Sequence, residues 1–160
     1  MTPPVLELKN IRKRFGAVDA LRNARLDVLA GEVHGLVGEN GAGKSTLINI
    51  ATGVLTPDSG TICVSGHETH LSHPLAAAHH GIAVVHQEAD LFPQLSVAEN
   101  MLLHRNLVRN ALGLIDWTAT FKEAERELAA FGESFDVRAP AAGLSVAKRM
   151  MAEIAAAVAH

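Results

Sequence analysis

One segment, from Gly38 to Thr46, carries the most informative chemistry in this sequence. It reads Gly-Glu-Asn-Gly-Ala-Gly-Lys-Ser-Thr and fills the phosphate-binding pattern G-x-x-x-x-G-K-[ST]. Glycines lack a Cβ, so the backbone can turn successive N–H groups inward and form a nest for an anion. In this pattern Lys44 reaches the β- and γ-phosphates, and the Ser45 hydroxyl holds Mg²⁺. The segment therefore predicts a site for a nucleoside triphosphate, and a merely flexible glycine-rich loop is the alternative.

The segments on either side of this loop predict the elements that position it. Val33–Val37 is an apolar run that predicts a buried strand, and Leu47–Ala51 predicts the first turns of a helix that Gly53 ends. The start of a helix adds unpaired N–H groups and the positive end of the helix dipole, both of which favour a phosphate. A strand, a loop and a helix in this order are the context that the phosphate-binding pattern requires.

The hydrophobic pattern outside the loop predicts an α/β fold. Val5–Lys9 and Ala24–Leu29 alternate between apolar and polar residues, which predicts strands of an antiparallel sheet with one exposed face. Val33–Val37 and Gly81–Val85 are almost continuously apolar, as expected of parallel strands that are covered on both faces. The sequence therefore predicts two kinds of strand in one domain.

From about residue 95 onward the pattern is helical. A capping box that begins at Ser96 opens the first helix, and either Asp116 or Thr118 caps a second. Ser145 caps a last helix that runs to Val158. This part of the chain is therefore predicted to be a helical subdomain.

Composition narrows the function classes. The chain has 160 residues, of which 48% are apolar and 19% charged, and its net charge of −3 argues against nucleic acid as the main partner. Its beginning lacks the pattern of a signal peptide, and no apolar run is long enough to span a membrane. The only cysteine, Cys63, is predicted to be a buried thiol in a strand, which fits a reducing cytoplasm.

Three further motifs converge with the loop on one family. Leu144–Lys148 resembles the signature segment of ATP-binding cassette (ABC) ATPases, usually written LSGGQ, and His86–Glu88 resembles their Q-loop around Gln87. Phe15 falls where that family has an aromatic residue that stacks on adenine. The order and spacing of the motifs agree with the family over essentially all 160 residues.

Longer stretches resemble one branch, the ATP-binding subunits of monosaccharide importers of the ribose, xylose and galactose type. These stretches are Gly35–Leu47, Val84–Glu88, and Leu144–Ala147 followed by Glu153–Ala155. The resemblance implies a P-loop NTPase with a RecA-like parallel sheet, an N-terminal antiparallel layer and a C-terminal helical subdomain.

The resemblance also implies a division of the chain. Residues 1–94 would form the nucleotide-binding core, and residues 95–160 the helical subdomain that carries the signature segment 144–148. No apolar strand ending in Asp-Glu follows the loop, although a P-loop enzyme needs such carboxylates for Mg²⁺ and water. We therefore expect an N-terminal fragment of a cassette that binds nucleotide without turning it over.

The resemblance assigns roles to residues of this sequence. Lys44 and Gln87 would serve catalysis, Ser45 and Gln87 would meet Mg²⁺ or the attacking water, and Phe15 would stack on adenine. The implied ATP-binding residues are Phe15, Gly38, Glu39, Asn40, Gly41, Ala42, Gly43, Lys44, Ser45 and Thr46. The implied contacts with ATP on a partner cassette are Leu144, Ser145, Val146 and Ala147.

The signature segment departs from the family pattern. Val146 and Ala147 replace its two glycines, and Lys148 replaces its glutamine. Valine restricts the backbone at the start of a helix, and Lys148 adds a positive charge. Sugar-importer cassettes resemble this Val-Ala form.

The implied function is the ATP-binding part of a transporter ATPase that energises sugar import through cassette dimerisation and ATP hydrolysis. Its partners would be a second cassette, in the same chain or as a dimer, a membrane permease and, indirectly, a periplasmic or extracellular sugar-binding protein. It would lie peripherally on the cytoplasmic face of the membrane. The alternatives are a soluble cassette ATPase that acts on ribosomes or DNA, and a nucleotide-binding regulatory module that does not hydrolyse ATP.

A metal site at three regularly spaced histidines is a further alternative. His67, His70 and His73 recur at every third position, but they lie in a turn-rich stretch with no nearby cysteine and only Glu68 as a carboxylate. The pattern therefore favours ordinary surface histidines.

Overall fold

The structure is a computed structural model that describes residues 3–85, 91–103 and 107–159. The chain divides into two compact units, Met1–Ala83 and Val84–His160. The first unit contains a β-sheet and two helices, and the second is helical. Among the described residues, no helix combines the length and the apolar character needed to cross a bilayer.

The sheet of the first unit is antiparallel throughout. Its strands are β1 (Leu6–Phe15), β2 (Val18–Val28), β3 (Ser59–Val64) and β4 (His67–Glu68), in the spatial order β2-β1-β3-β4. The antiparallel strands predicted at 5–9 and 24–29 are confirmed, although both are longer than the alternating pattern indicated. Cys63 lies buried in β3 as a free thiol, as predicted.

The two predicted buried strands are not formed. Residues 33–37 have no strand assignment, and the side chains of Val33 and Val37 are 99% and 93% exposed. Residues 82–85 also lie outside any strand. A parallel strand needs hydrogen-bonded neighbours and helices on both faces, and the described residues supply no parallel partner for either segment. The prediction of strands at these two positions is wrong for this physical reason.

Two helices pack against the sheet of the first unit. Helix α1 spans Lys44–Ala51 and α2 spans Pro74–His79. Gly53 follows α1 with a φ of 73°, and a Cβ there would lie 2.6 Å from the His73 carbonyl oxygen. The predicted helix end at Gly53 is therefore confirmed, because the position requires both a left-handed conformation and a close approach. The buried core of this unit consists of Leu8, Ile11, Leu21, Leu47, Ile50, Ala51, Ile62, Leu71 and Ala77.

The described residues of the second unit, 84–85, 91–103 and 107–159, form three α-helices and a short 3-10 turn. They are α3 (Val97–Leu102), α4 (Trp117–Ala130), the turn Ala141–Gly143 and α5 (Val146–Val158). Their core consists of Val97, Ala98, Met101, Leu102, Ala124, Leu128, Val137, Ala152 and Ala155.

The predicted helix caps are confirmed. Ser96 and Glu99 form a reciprocal capping box, in which the Ser96 hydroxyl accepts from the Glu99 amide at 3.2 Å and the Glu99 carboxylate accepts from the Ser96 amide at 2.8 Å. Asp116, rather than Thr118, caps α4 by accepting from the Ala119 amide at 3.0 Å. Ser145 caps α5.

Replacing Ser96 with alanine should destabilise the second unit. The change removes the acceptor for the Glu99 amide, and loss of a serine cap typically lowers the free energy of unfolding by about 1 kcal/mol. Denaturant unfolding monitored by circular dichroism would measure the change. The matched variant Ser134→Ala, at an exposed serine of the same unit, should change stability by less than about 0.5 kcal/mol. Equal effects of the two substitutions would contradict the prediction.

Candidate nucleotide-binding site

The loop before α1 uses left-handed backbone at two of its glycines. Gly41 has a φ of 84° and Gly43 a φ of 88°, a region that other residues enter only at a cost. Gly38 is not left-handed, but a Cβ built on it would lie 3.4 Å from the Ala42 side chain. The Ala42 amide donates to the Glu39 carbonyl at 3.2 Å and closes the turn between these glycines.

Gly43 seats the loop directly on strand β2. A Cβ at this position would lie 2.6 Å from the Ala20 carbonyl oxygen and 2.7 Å from Leu21 Cδ2. Real Cβ atoms do not approach other atoms so closely, so only glycine permits this contact without a shift of the loop or the strand. The packing on β2 therefore fixes where α1 begins.

Helix α1 begins with amide groups that no side chain caps. Its N-cap is Gly43, and the first intrahelical bond runs from the Leu47 amide to the Gly43 carbonyl at 2.9 Å. The amides of Lys44, Ser45 and Thr46 precede that bond and have no partner within the helix. The other four described α-helices, α2 to α5, are each capped by a side chain, and the capping residues are His73, Ser96, Asp116 and Ser145. The start of α1 is thus left open to an anion.

The ammonium group of Lys44 lies over the same loop. Nζ donates to the carbonyl oxygens of Gly38 at 2.6 Å and Glu39 at 2.8 Å. These are neutral acceptors, and a phosphate oxygen would replace them with a stronger charge-assisted bond. Ser45 is exposed in the first turn of α1, so its hydroxyl oxygen is accessible to a cation that accompanies the phosphate. The loop can therefore bind a phosphate chain through its backbone amides and the Lys44 ammonium.

The aromatic residue predicted to meet a base lies in the same unit. Phe15 ends β1, pairs with Val18 across the β1–β2 hairpin, and is 47% exposed. The Lys13 ammonium lies over its ring, 5.7 Å from the centroid. An exposed ring is suited to stacking on a planar ligand.

The signature segment lies in the second unit. The Ser145 hydroxyl accepts from the Lys148 amide at 3.4 Å, and Val146 is 74% exposed. Arg149 Nε donates to the Leu144 carbonyl at 3.1 Å and holds the entry to α5. The Lys148 ammonium lies 5.5 Å from the centroid of the Phe135 ring.

The structure leaves one predicted site residue undescribed and assigns another residue a structural role. Gln87 and its neighbours His86 and Glu88 lie outside the described residues.

His73 has a structural role, because it caps α2 by accepting from the Ala76 amide at Nδ1, 3.1 Å away. That cap was not predicted from the sequence, although Pro74 at the first helical position was a signal for it.

The open loop, its left-handed glycines and the helix that follows define a P-loop nucleotide-binding protein. A comparison with protein families identifies the particular class. Residues 21–160 match the family described as ABC transporter. The chain belongs to the ABC transporter family.

Curated relatives of known name are similar over almost the whole chain. The ribose import ATP-binding protein RbsA 2 of Rubrobacter xylanophilus is 46% identical over 97% of this chain, and the RbsA protein of Geobacillus kaustophilus is 44% identical over 96%. The aligned parts make up 30% and 31% of those two proteins. The chain thus spans about a third of the length of the relatives it matches.

Solved structures of similar fold are cassettes of ABC transporters. A nucleotide-free ATP-binding cassette superimposes with a TM-score of 0.82 at 28% identity, covering 97% of this chain and 64% of that one. A cassette in its ADP conformation gives a TM-score of 0.82 at 27% identity, covering 98% and 65%. The predicted fold class, an α/β P-loop cassette with an antiparallel layer, is confirmed.

Proposed function

We propose that this chain is the ATP-binding part of an ABC transporter ATPase that energises the import of a sugar. The observation that carries the proposal is the open start of α1 beneath the Lys44 ammonium. Similarity to proteins named for ribose import supports sugar as the substrate class. Ribose is therefore the first sugar to test.

The proposed nucleotide lies along the loop of the first unit. The amides from Glu39 to Thr46 bind the phosphates, and Lys44 moves from the carbonyls of the loop to the β- and γ-phosphates. Ser45 and Gln87 are the residues that would hold Mg²⁺ and the attacking water, and the ion would neutralise charge on the phosphates. The exposed hydroxyl oxygen of Ser45 fits the preference of Mg²⁺ for oxygen ligands.

The proposed hydrolytic unit contains two cassettes. Residues 144–147, with Ser145 at the start of α5, would contact the γ-phosphate of ATP bound to a second cassette. ATP would then stabilise the closed dimer, and hydrolysis would release it. We assign residues 1–94 to the nucleotide-binding core and 95–160 to the helical subdomain, which would dock on a membrane permease.

The transport role places the whole protein on the cytoplasmic face of the membrane. There it would act with the permease and, through it, with an extracytoplasmic sugar-binding protein. The full-length protein reconstituted with its permease should hydrolyse ATP faster when ribose-loaded binding protein is added. Fractionation of the full-length protein with the cytosol, together with ATPase activity that is independent of a permease, would instead favour a soluble cassette ATPase.

A non-hydrolysing regulatory module is the alternative that the signature segment raises. Val146, 74% exposed at the start of α5, stands where the family pattern has a glycine, although sugar-importer cassettes resemble the same Val-Ala form. ATP binding by the full-length protein without turnover, even with the permease present, would select this function over transport.

Phe15→Ala should weaken ATP binding without weakening the binding of a bare phosphate chain. Stacking of a base on an aromatic side chain contributes about 1–3 kcal/mol, so the Kd for Mg-ATP should rise about fivefold or more. Isothermal titration calorimetry with Mg-ATP and Mg-tripolyphosphate would measure both affinities. Phe131→Ala, at an exposed aromatic residue of the second unit, is the matched control. A parallel loss of both affinities in Phe15→Ala would contradict stacking.

A further inference from the structure

The ladder between β1 and β3 ends before the aromatic residue is reached. The two strands pair from Leu6 opposite Val64 to Arg12 opposite Ser59. The described residues provide no β3 partner for the last three residues of β1, which lead to Phe15. Strand β2 pairs with this end of β1, but the edge of β1 that faces β3 needs other hydrogen bonds if it is to be held from that side as well.

Asp58, the residue before β3, supplies those hydrogen bonds. Its amide donates to the Arg12 carbonyl at 2.9 Å. Its carboxylate accepts from the Arg14 amide at 2.7 Å and from the Lys13 ammonium at 2.9 Å. Lys13 also donates to the Thr56 carbonyl at 2.7 Å. One residue thus extends the pairing of β1 to the position next to Phe15.

The contacts of this carboxylate favour its charged form. The Lys13 ammonium and then the Arg14 amide hold the pKa of Asp58 below its ordinary value. The Lys13 side chain is 17% exposed and the Asp58 side chain 46% exposed, so the pair is partly open to solvent and its charge attraction is screened. A group with a lowered pKa contributes its stabilisation at neutral pH and loses it as the pH falls through that lowered value. The bonds of the Asp58 carboxylate to Lys13 and Arg14 are therefore in place at neutral pH.

The same hairpin connects the aromatic ring to the phosphate loop. Phe15 stands at the end of β1, and the facing strand β2 carries Ala20 and Leu21, which contact Gly43. Lys13, held by Asp58, lies over the Phe15 ring and is paired with Leu21 in the register of the hairpin. The separation between a stacked base and the phosphates thus depends on how firmly this end of the hairpin is held.

We infer that Asp58 is a positioning residue for nucleobase recognition, which acts by fixing the end of β1 and the Lys13 side chain that lies over the Phe15 ring. This inference rests on the proposed function, because it requires Phe15 to stack on the base. Asp58 itself contacts neither the base nor the phosphates. Replacing Asp58 should therefore weaken the binding of ATP, which has a base, and should leave the binding of a bare phosphate chain unchanged.

The test compares two ligands that differ in the nucleoside. Calorimetry would give the Kd of Mg-ATP and of Mg-tripolyphosphate for the wild-type chain, Asp58→Ala and Asp58→Asn. The Kd of Mg-tripolyphosphate divided by the Kd of Mg-ATP isolates the contribution of the nucleoside. We expect Asp58→Ala to lower this ratio about fivefold, the low end of what stacking contributes, with the tripolyphosphate Kd unchanged within twofold. Asp58→Asn keeps an acceptor for the Arg14 amide and should recover part of the ratio.

The control is Glu7→Gln, which disrupts another carboxylate–lysine pair on β1, between Glu7 and Lys9, at the opposite end of the strand. It should leave both constants unchanged. An unchanged ratio in Asp58→Ala, or an equal loss of both affinities, would overturn the inference. Wild-type protein that binds neither ligand, or shows no gain from the nucleoside, would instead overturn the proposed function or the role of Phe15, so the two failures are distinguishable.

Discussion

Gly43→Ala is expected to abolish nucleotide binding and to destabilise the first unit. The new Cβ would lie 2.6 Å from the Ala20 carbonyl and 2.7 Å from Leu21 Cδ2, and it would have to be accommodated at a φ of 88°. Left-handed backbone costs a non-glycine residue about 1–2 kcal/mol, and overpacking adds about 1–3 kcal/mol. Denaturant unfolding and calorimetry with Mg-ATP would measure the two effects.

Gly41→Ala separates the conformational cost from the steric clash. Gly41 is also left-handed, with a φ of 84°, but a Cβ built there meets no atom within 4 Å. This variant should therefore lose only about 1–2 kcal/mol of stability and retain measurable binding. Equal destabilisation by the two alanines would show that the contact between Gly43 and β2 does not decide where the loop lies, and would contradict the prediction.

Lys44→Ala is expected to weaken Mg-ATP binding by about 100-fold. Hydrogen bonds to a charged group contribute about 1.5–3 kcal/mol, and each 1.4 kcal/mol corresponds to a tenfold change in affinity. Lys44 is partly exposed and its present partners are the carbonyls of Gly38 and Glu39. Its removal should therefore affect affinity far more than stability, and calorimetry together with thermal unfolding would separate the two.

Lys9→Ala is the matched control for this variant. Lys9 is an exposed lysine of the same unit that pairs with Glu7 at 2.7 Å and lies on β1, away from the loop. Its replacement should change the Kd for Mg-ATP by less than twofold. Wild-type affinity in Lys44→Ala would contradict the proposed phosphate site, and an equal loss in Lys9→Ala would attribute the effect to overall charge.

The N-termini of α1 and α5, both of which we propose to contact phosphate, differ in whether a side chain already bonds to their amides. At α1 the N-cap is Gly43 and no side chain occupies the amides. At α5 the Ser145 hydroxyl already accepts from the Lys148 amide, at a long 3.4 Å. A phosphate would meet unpaired donors at the first and a weakly paired donor at the second. The structure thus favours the first unit as the place where nucleotide binds before any partner cassette arrives.

Local features of the sequence predicted much of this molecule. The glycines and Lys44 of the loop predicted an anion site, because they act within their own short segment. The helix caps at Ser96 and Ser145 were predicted correctly for the same reason, since a cap bonds to an amide three residues away. The antiparallel pair β1 and β2 also followed from alternation within each strand.

Features that depend on partners far away in the sequence could not be predicted from local patterns. The apolar run at 33–37 has the composition of a buried strand, yet Val33 and Val37 are exposed because no described strand lies beside them. A hydrophobic run specifies that a segment should be buried, but neighbours elsewhere in the chain decide whether it can be.

The sequence by itself determined the glycine-rich loop and the helix caps, because these depend on residues only a few positions apart, and it indicated the family through the order and spacing of its motifs. The tertiary structure decided that Gly43 meets Ala20 and that Asp58 meets Lys13 and Arg14. Those contacts join segments separated by more than twenty residues, and no local rule specifies them, since they follow from how α1 packs on β2 and from the register in which β1 and β3 pair.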